Sequence, residues 1–165
     1  MIKKLIAFCL VLSIFIPFTI YSSADDSLHW YLKRNKAGTP SFPPEAKEIK
    51  QYNALFIDES VDENNKVIYL TFDAGYENGN IEKILDVLKA ESVPAAFFLL
   101  DNIILKNKDL VIRMTEEGHL VCNHTKNHKN LSNAKECEIT GNLTALEKIY
   151  EECTGMEMSK YFRFP

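Results

Sequence analysis

Cysteine is scarce and badly numbered for cross-linking. The 165-residue chain has four, and Cys9 lies in an apolar N-terminal segment, leaving Cys122, Cys137 and Cys153. An odd set is not a disulfide framework. Cys137 and Cys153 share a predicted helix, where sixteen residues span roughly 24 Å, far beyond disulfide reach. Cys122 sits in an apolar run and reads as a small core residue. Unpaired cysteines on an exported chain suit a Gram-positive type of cell surface better than a disulfide-forming route. The chain also lacks a basic excess: 19 Lys and Arg stand against 23 Asp and Glu. That balance excludes the basic face nucleic acid demands. No charge run is long enough to form a tail, and there are no internal repeats or low-complexity tracts.

The one long apolar run is at the start. Lys3 and Lys4 precede Leu5 to Ile16, which is apolar apart from Ser13, and Pro17 breaks the run. Ser22-Ser23-Ala24 places small residues at the usual cleavage positions. Residues 1–24 therefore read as a secretory signal peptide. The other reading is an uncleaved anchor, for which the stretch is short of the ~20 residues of a full span. Without this segment the net charge falls to near −6. The mature chain is expected outside the membrane, at the cell wall.

Residues 25–65 form a distinct extension. Trp30-Tyr31 and the cluster Lys33, Arg34 and Lys36 lead into Gly38-Thr-Pro-Ser-Phe-Pro-Pro, too rich in Gly and Pro for regular structure. A short helix is expected over 45–52. From Lys66 onward strands and helices alternate. Strands are expected at 67–72, 95–100, 119–123 and 161–164, and helices at 80–92, 108–117 and 134–153, the last interrupted near Gly141. Ile81, Ile84, Leu85 and Leu88 have the three-four spacing of a buried helical face. Ala95-Ala-Phe-Phe-Leu-Leu is wholly apolar, like a strand buried on both faces. This alternation predicts an α/β fold with a parallel sheet, open or closed into a barrel.

Two strand ends carry the chemistry. Asp73 ends the first, and Gly75 permits a tight turn that aims the carboxylate into a crevice at the sheet's carboxyl edge. It can serve as base or metal ligand, or merely cap the next helix. His124 and His128, four apart, can meet one cation, though His-x-x-x-His alone is a common pattern. Thr125 can hold the loop between them by a local hydrogen bond. His119 reads as a satisfied structural histidine, and His29 has no partner in view.

Thr-Phe-Asp-x-Gly-Tyr at 71–76, Glu-Gly-His at 117–119 and Asn-His-Thr-x-x-His at 123–128 together resemble the polysaccharide deacetylases with a NodB-like domain, carbohydrate esterase family four. The words at 69–79 and 30–36 look closer still to the spore-cortex de-N-acetylases that make muramic δ-lactam. The resemblance covers 66–165. It implies a distorted parallel (β/α) barrel of which about the first half is present. It implies a catalytic base at Asp73, metal ligands at His124 and His128, and a base-orienting arginine at Arg163. Tyr76 and Pro165, within the first and third motifs, are the implied substrate contacts. The position after the base is usually a metal-binding aspartate, and here it is Ala74. The resembled subgroup lacks that aspartate too. A divalent cation, zinc first, is therefore expected to be weakly held.

The implied reaction is metal-assisted hydrolysis of the acetamide of N-acetylmuramic acid in a peptidoglycan glycan strand, at the cell wall or spore cortex. The family's fourth and fifth motifs bring an aspartate bracing the arginine and a histidine acting as general acid. Both would fall beyond Pro165, so a C-terminally truncated domain, inactive by itself, is expected. The alternative is a glycan-binding module without catalysis, stacking Trp30, Tyr31 and Tyr76 on sugar rings. A metal-binding surface protein using His124, His128 and Cys122 is a third reading.

Overall fold

A computed structural model describes residues 46–58, 60 and 64–165. Residues 1–24, read from sequence as a signal peptide, most of the extension, and the aromatic and basic residues at 29–36 lie outside the described residues. The chain divides into two units, Met1–Ile57 and Asp58–Pro165. In the first, helix α1 (Ala46–Lys50) is described. No described helix is long and apolar enough to cross a membrane.

The second unit alternates as expected. Its elements are β1 (Thr71–Ala74), α2 (Ile81–Ala90), β2 (Ala96–Leu99), α3 (Asp101–Lys106), α4 (Lys108–Glu116), β3 (Leu120–Asn123), α5 (Glu136–Thr154) and β4 (Ser159–Phe162). The four strands form one parallel sheet in the order β1-β2-β3-β4. A β–helix–β connection that returns each strand beside the last gives this order directly. Thr71 pairs with Ala96 and Ala74 with Leu99; Leu99 pairs in turn with Asn123. The carboxyl ends of β1, β2 and β3 thus lie level on one rim.

Side chains alternate across a strand, and the sheet sorts them accordingly. Phe72, Ala74, Phe97, Leu99 and Val121 face the helices. There they join Ile81, Leu85 and Leu88 of α2, Ile103 and Ile104 of α3, Val111 and Met114 of α4, and Leu146 and Tyr150 of α5. Phe72 stacks on Phe97 at 5.0 Å between ring centroids. Asp73, Phe98 and Cys122 point to the other face. Phe98 and Cys122 are buried there without belonging to the helix-side cluster.

Several features differ from expectation. The first strand begins at Thr71 rather than 67, and Val67, Ile68, Tyr69 and Leu70 are exposed. β2 starts at Ala96, and only its N–H reaching the Leu70 carbonyl (3.0 Å) extends the ladder backward. Residues 66–69 have β-forming side chains but no strand to pair with. β4 begins at Ser159 instead of 161, with an irregular register against Cys122 and Asn123. α3 was not expected at all. α5 runs through Gly141 without interruption; a Cβ there would meet nothing, so this glycine marks no close approach.

Two glycines do act locally. Gly118 closes α4 at φ +84°, which lets the His119 N–H reach the Met114 carbonyl at 2.9 Å. Gly75 marks a close approach rather than a left-handed turn: a Cβ would lie 2.6 Å from Leu100 Cδ1, the end of a side chain that would have to turn aside.

Candidate active site

Asp73 is the third of the four β1 residues and projects from the face opposite the helices. It caps no helix. The start of α2 is capped by Glu77, whose carboxylate accepts the N–H groups of Gly79, Asn80 (2.8 Å) and Ile81 (3.1 Å). The local structural job that Asp73 could have held is already filled, and its carboxylate is turned elsewhere.

It is turned to Arg163. Nη1 of Arg163 donates to Asp73 Oδ1 at 2.7 Å, and Nη2 donates to Thr71 Oγ1 at 2.9 Å. The guanidinium lies over the Phe98 ring, 4.1 Å from its centroid. A planar fork with one edge on β1 and its face on β2 has little freedom left. Both partners are partly exposed (35% and 45% of their side chains), so the pair supplies orientation more than stability.

The histidines follow β3. His124 is buried, and its own N–H extends the ladder to the Leu99 carbonyl at 3.1 Å. Its Nδ1 lies 3.0 Å from the Arg163 carbonyl oxygen. A carbonyl can only accept, so Nδ1 is the donor, and the neutral form of the ring has its lone pair on Nε2. The Arg163 N–H bonds back to the Asn123 carbonyl at 3.0 Å. One residue therefore braces the carboxylate with its side chain and the imidazole with its backbone.

His128 is exposed, and its ring meets that of His124 edge-on with centroids 4.9 Å apart. The loop between them is tightly made. Thr125, fully buried, has φ 71° and His128 has φ 56°; a β-branched residue there is strained. Thr125 Oγ1 accepts the His128 N–H at 3.0 Å, the local bond expected of it. Asn123 Oδ1 accepts the Thr125 N–H (2.9 Å) while its amide donates to the Leu143 carbonyl on α5 (3.0 Å). Asn142 Oδ1 accepts the Lys126 N–H at 2.6 Å.

A cleft of about 500 Å³ brings these parts together, lined by Asp73, Ala74, Gly75, Tyr76, Leu100, Asp101, Asn102, His124, Asn127 and His128. Of the residues singled out from sequence, Asp73, His124, His128 and Tyr76 line it. Arg163 acts on it from the sheet face behind Asp73. Pro165 is exposed and is not among the lining residues. His119 lies at the opposite end of β3, remote from the cleft. It is buried, its Nδ1 accepts the Ala95 N–H at 3.3 Å, and its Nε2 has no partner; it is thus only half satisfied. Burial lowers its pKa. Cys122 is buried with its thiol pushed up to about 11, mainly by burial and against the pull of Arg163. A protonated thiol is a poor metal ligand.

The Nε2 of His124, whose Nδ1 is engaged by the Arg163 carbonyl, and the neighbouring ring of His128 are nitrogen donors that suit a cation such as zinc chemically. Among the described residues, no three His, Cys, Asp or Glu side chains converge on one point. Ala74, buried and without a donor, stands where a third ligand would help. The donor set thus fits an open, weakly held cation. Thr71, Phe98, Asn123, Asn142, Asp101 and Asn102 were missed by sequence reading. Thr71 shared a motif with Asp73, and Asn123 one with His124, the signals available for them.

A carboxylate, an arginine and paired imidazoles thus share the carboxyl rim of a parallel sheet. The chain matches the polysaccharide deacetylase family over residues 60–165 and belongs to it. It is 38% identical to an uncharacterized 30.6 kDa protein of Geobacillus stearothermophilus over 97% of this chain and 61% of that protein. It is 32% identical to the peptidoglycan-N-acetylmuramic acid deacetylase PdaA of Bacillus subtilis, over 86% of this chain and 53% of PdaA. The solved structure of PdaA, a family 4 carbohydrate esterase, superposes with a TM-score of 0.75 at 32% identity, covering 84% of this chain and 58% of that one. The chain thus spans between half and two thirds of the length of these relatives.

Proposed function

We propose that this protein takes part in removing an N-acetyl group from an amino sugar of peptidoglycan, by hydrolysis of the acetamide. The observation that carries the reading is the Asp73–Arg163 contact beside the His124–His128 pair in one cleft. Asp73 is placed to take a proton from water attacking the amide carbon. Arg163, held by Thr71 and Phe98, fixes that carboxylate in direction and position. His124 and His128 would hold a divalent cation, which when bound supplies charge stabilisation for the oxyanion. Tyr76 at the cleft mouth is placed to stack on a sugar ring. A protonated histidine, as the resemblance implies, would then release the amine.

The finer reading is N-acetylmuramic acid as substrate, with the freed amine closing on the lactyl carboxylate to give muramic δ-lactam in the spore cortex. Its support is the similarity to PdaA, named as an N-acetylmuramic acid deacetylase, and the motif words at 69–79. Export through residues 1–24 would deliver the protein to that wall. The test is acetate release from peptide-free glycan strands. Release that disappears in Asp73→Asn supports hydrolysis. Strand binding with no release, unchanged in Asp73→Asn, favours a non-catalytic glycan-binding module instead.

A further inference from the structure

Asp101 has no assigned role, yet it lines the same cleft as Asp73, His124 and His128. It stands two residues past Leu99, the end of the strand flanked by β1 and β3. Leu99 pairs with Ala74 on one side and Asn123 on the other. The chain after β2 therefore enters the rim between the carboxylate and the histidine loop.

Its position is fixed on both sides. The Asp101 N–H donates to the Lys126 carbonyl, inside the His124–His128 loop, at 3.1 Å. The next side chain, Asn102, donates to the Gly75 carbonyl at 3.0 Å. On the β1 side, the Leu100 N–H reaches the Ala74 carbonyl at 3.1 Å. These bonds tie the start of α3 to both loops that carry the site. The Asp101 carboxylate itself is partly buried, and among the described residues it has no hydrogen bond or ion pair. Asp73, by contrast, is paired with Arg163. Asp101 is thus the unpaired carboxyl group of the cleft, which it shares with two imidazoles and with an alanine that has no donor.

We propose that Asp101 compensates for Ala74 as an outer-sphere carboxylate, stabilising a divalent cation at His124 and His128 by reaching its hydration shell rather than the ion. An outer role agrees with the failure of three ligand side chains to converge directly. A negative charge a few ångströms beyond the ion still acts strongly in a partly enclosed cleft, and outer-shell partners typically govern metal affinity by about 10–100-fold. The inference rests on the two histidines being the cation site proposed above.

Direct calorimetric titration of the full chain with zinc chloride tests it, with no need for turnover. Asp101→Asn is expected to weaken zinc by about tenfold or more with unchanged stoichiometry. Asp109→Asn, an exposed α4 position outside the cleft, is expected to leave affinity unchanged. Equal affinities for the parent and Asp101→Asn, with binding lost in His124→Ala, would overturn the role of Asp101 and leave the histidine site standing. Equal weakening in Asp109→Asn would reduce the effect to general charge and overturn it also. A parent chain that binds no zinc would overturn both readings.

Discussion

Arg163 lies ninety residues from Asp73 in sequence, yet its Nη1 sits 2.7 Å from the Asp73 carboxylate. The contact crosses the whole sheet face, from the end of β4 to β1, over the ring of Phe98 on β2. It needs a planar, doubly donating group of that length. Lysine has the charge without the fork. In an acetate-release assay, Arg163→Lys is expected to lower kcat by about 100-fold, the scale of loss for a small misplacement of a reacting group. KM should change little. An unchanged kcat would remove Arg163 from the orienting role.

Ala74→Asp restores a carboxylate at the level of Leu99 on the rim. It should tighten zinc binding in calorimetry relative to the parent. Equal affinities would show that position 74 does not reach the cation. The gain carries a cost, because Ala74 is 8% exposed and packs with the apolar cluster. Without metal, the variant should unfold more easily, by about 1–3 kcal/mol in urea titration.

His119 makes stability depend on pH. Its ring packs beside Phe97 and faces Glu117 and Arg113, with burial the main cause of its lowered pKa. Above the ordinary value of 6.5 the ring is neutral folded or unfolded. As pH falls below that value, the unfolded chain takes up a proton that the folded one refuses, so stability declines toward the folded pKa. Protonation also removes the acceptor for the Ala95 N–H. Glu117, lowered chiefly by Arg113 and then Lys89, adds a loss in the same direction at more acid pH. Urea midpoints at about pH 7.5 and about pH 5 should differ, and His119→Gln should reduce the difference. An identical pH dependence in that variant would assign the slope to other groups.

The cysteines should separate by reactivity. Cys137 is exposed, Cys153 partly so and Cys122 buried with a thiol near 11. At mildly alkaline pH, iodoacetamide should label Cys137 first and leave Cys122 intact until denaturant is added. Mass mapping of the labelled peptides reads the order. Early modification of Cys122 would mean that the inner sheet face opens readily.

Asp73 and His124 were legible from sequence because each sits at the end of an apolar strand, where the chain must turn and a polar side chain must go to the rim. Gly118 was legible for a similar reason, since only glycine closes α4 so cheaply at positive φ. The segment Asp101–Lys106 was not. Six residues are too few to display a helical period, and only Asp101 and Asn102 separate its apolar Ile103 and Ile104 from the run of β2. The first strand was placed too early because Val67, Ile68 and Tyr69 have the right side chains, while strand formation needs a neighbour. Phe98 reads as core from composition. Its work as a seat for Arg163 depends on which face of β2 it occupies, and that is set by pairing rather than by local pattern. His119 looked satisfied because a strand-start histidine usually is; its orphaned Nε2 is visible only in three dimensions.

The double duty of Arg163 has one more consequence. Its guanidinium sets the direction of the Asp73 carboxylate, while its main-chain carbonyl holds the Nδ1 of His124. Any force that displaces the tail of β4 must disturb both at once. Ligands or neighbouring segments touching that tail would gain a single lever over two chemical functions, so activation and silencing of this centre should occur as a whole and not in halves.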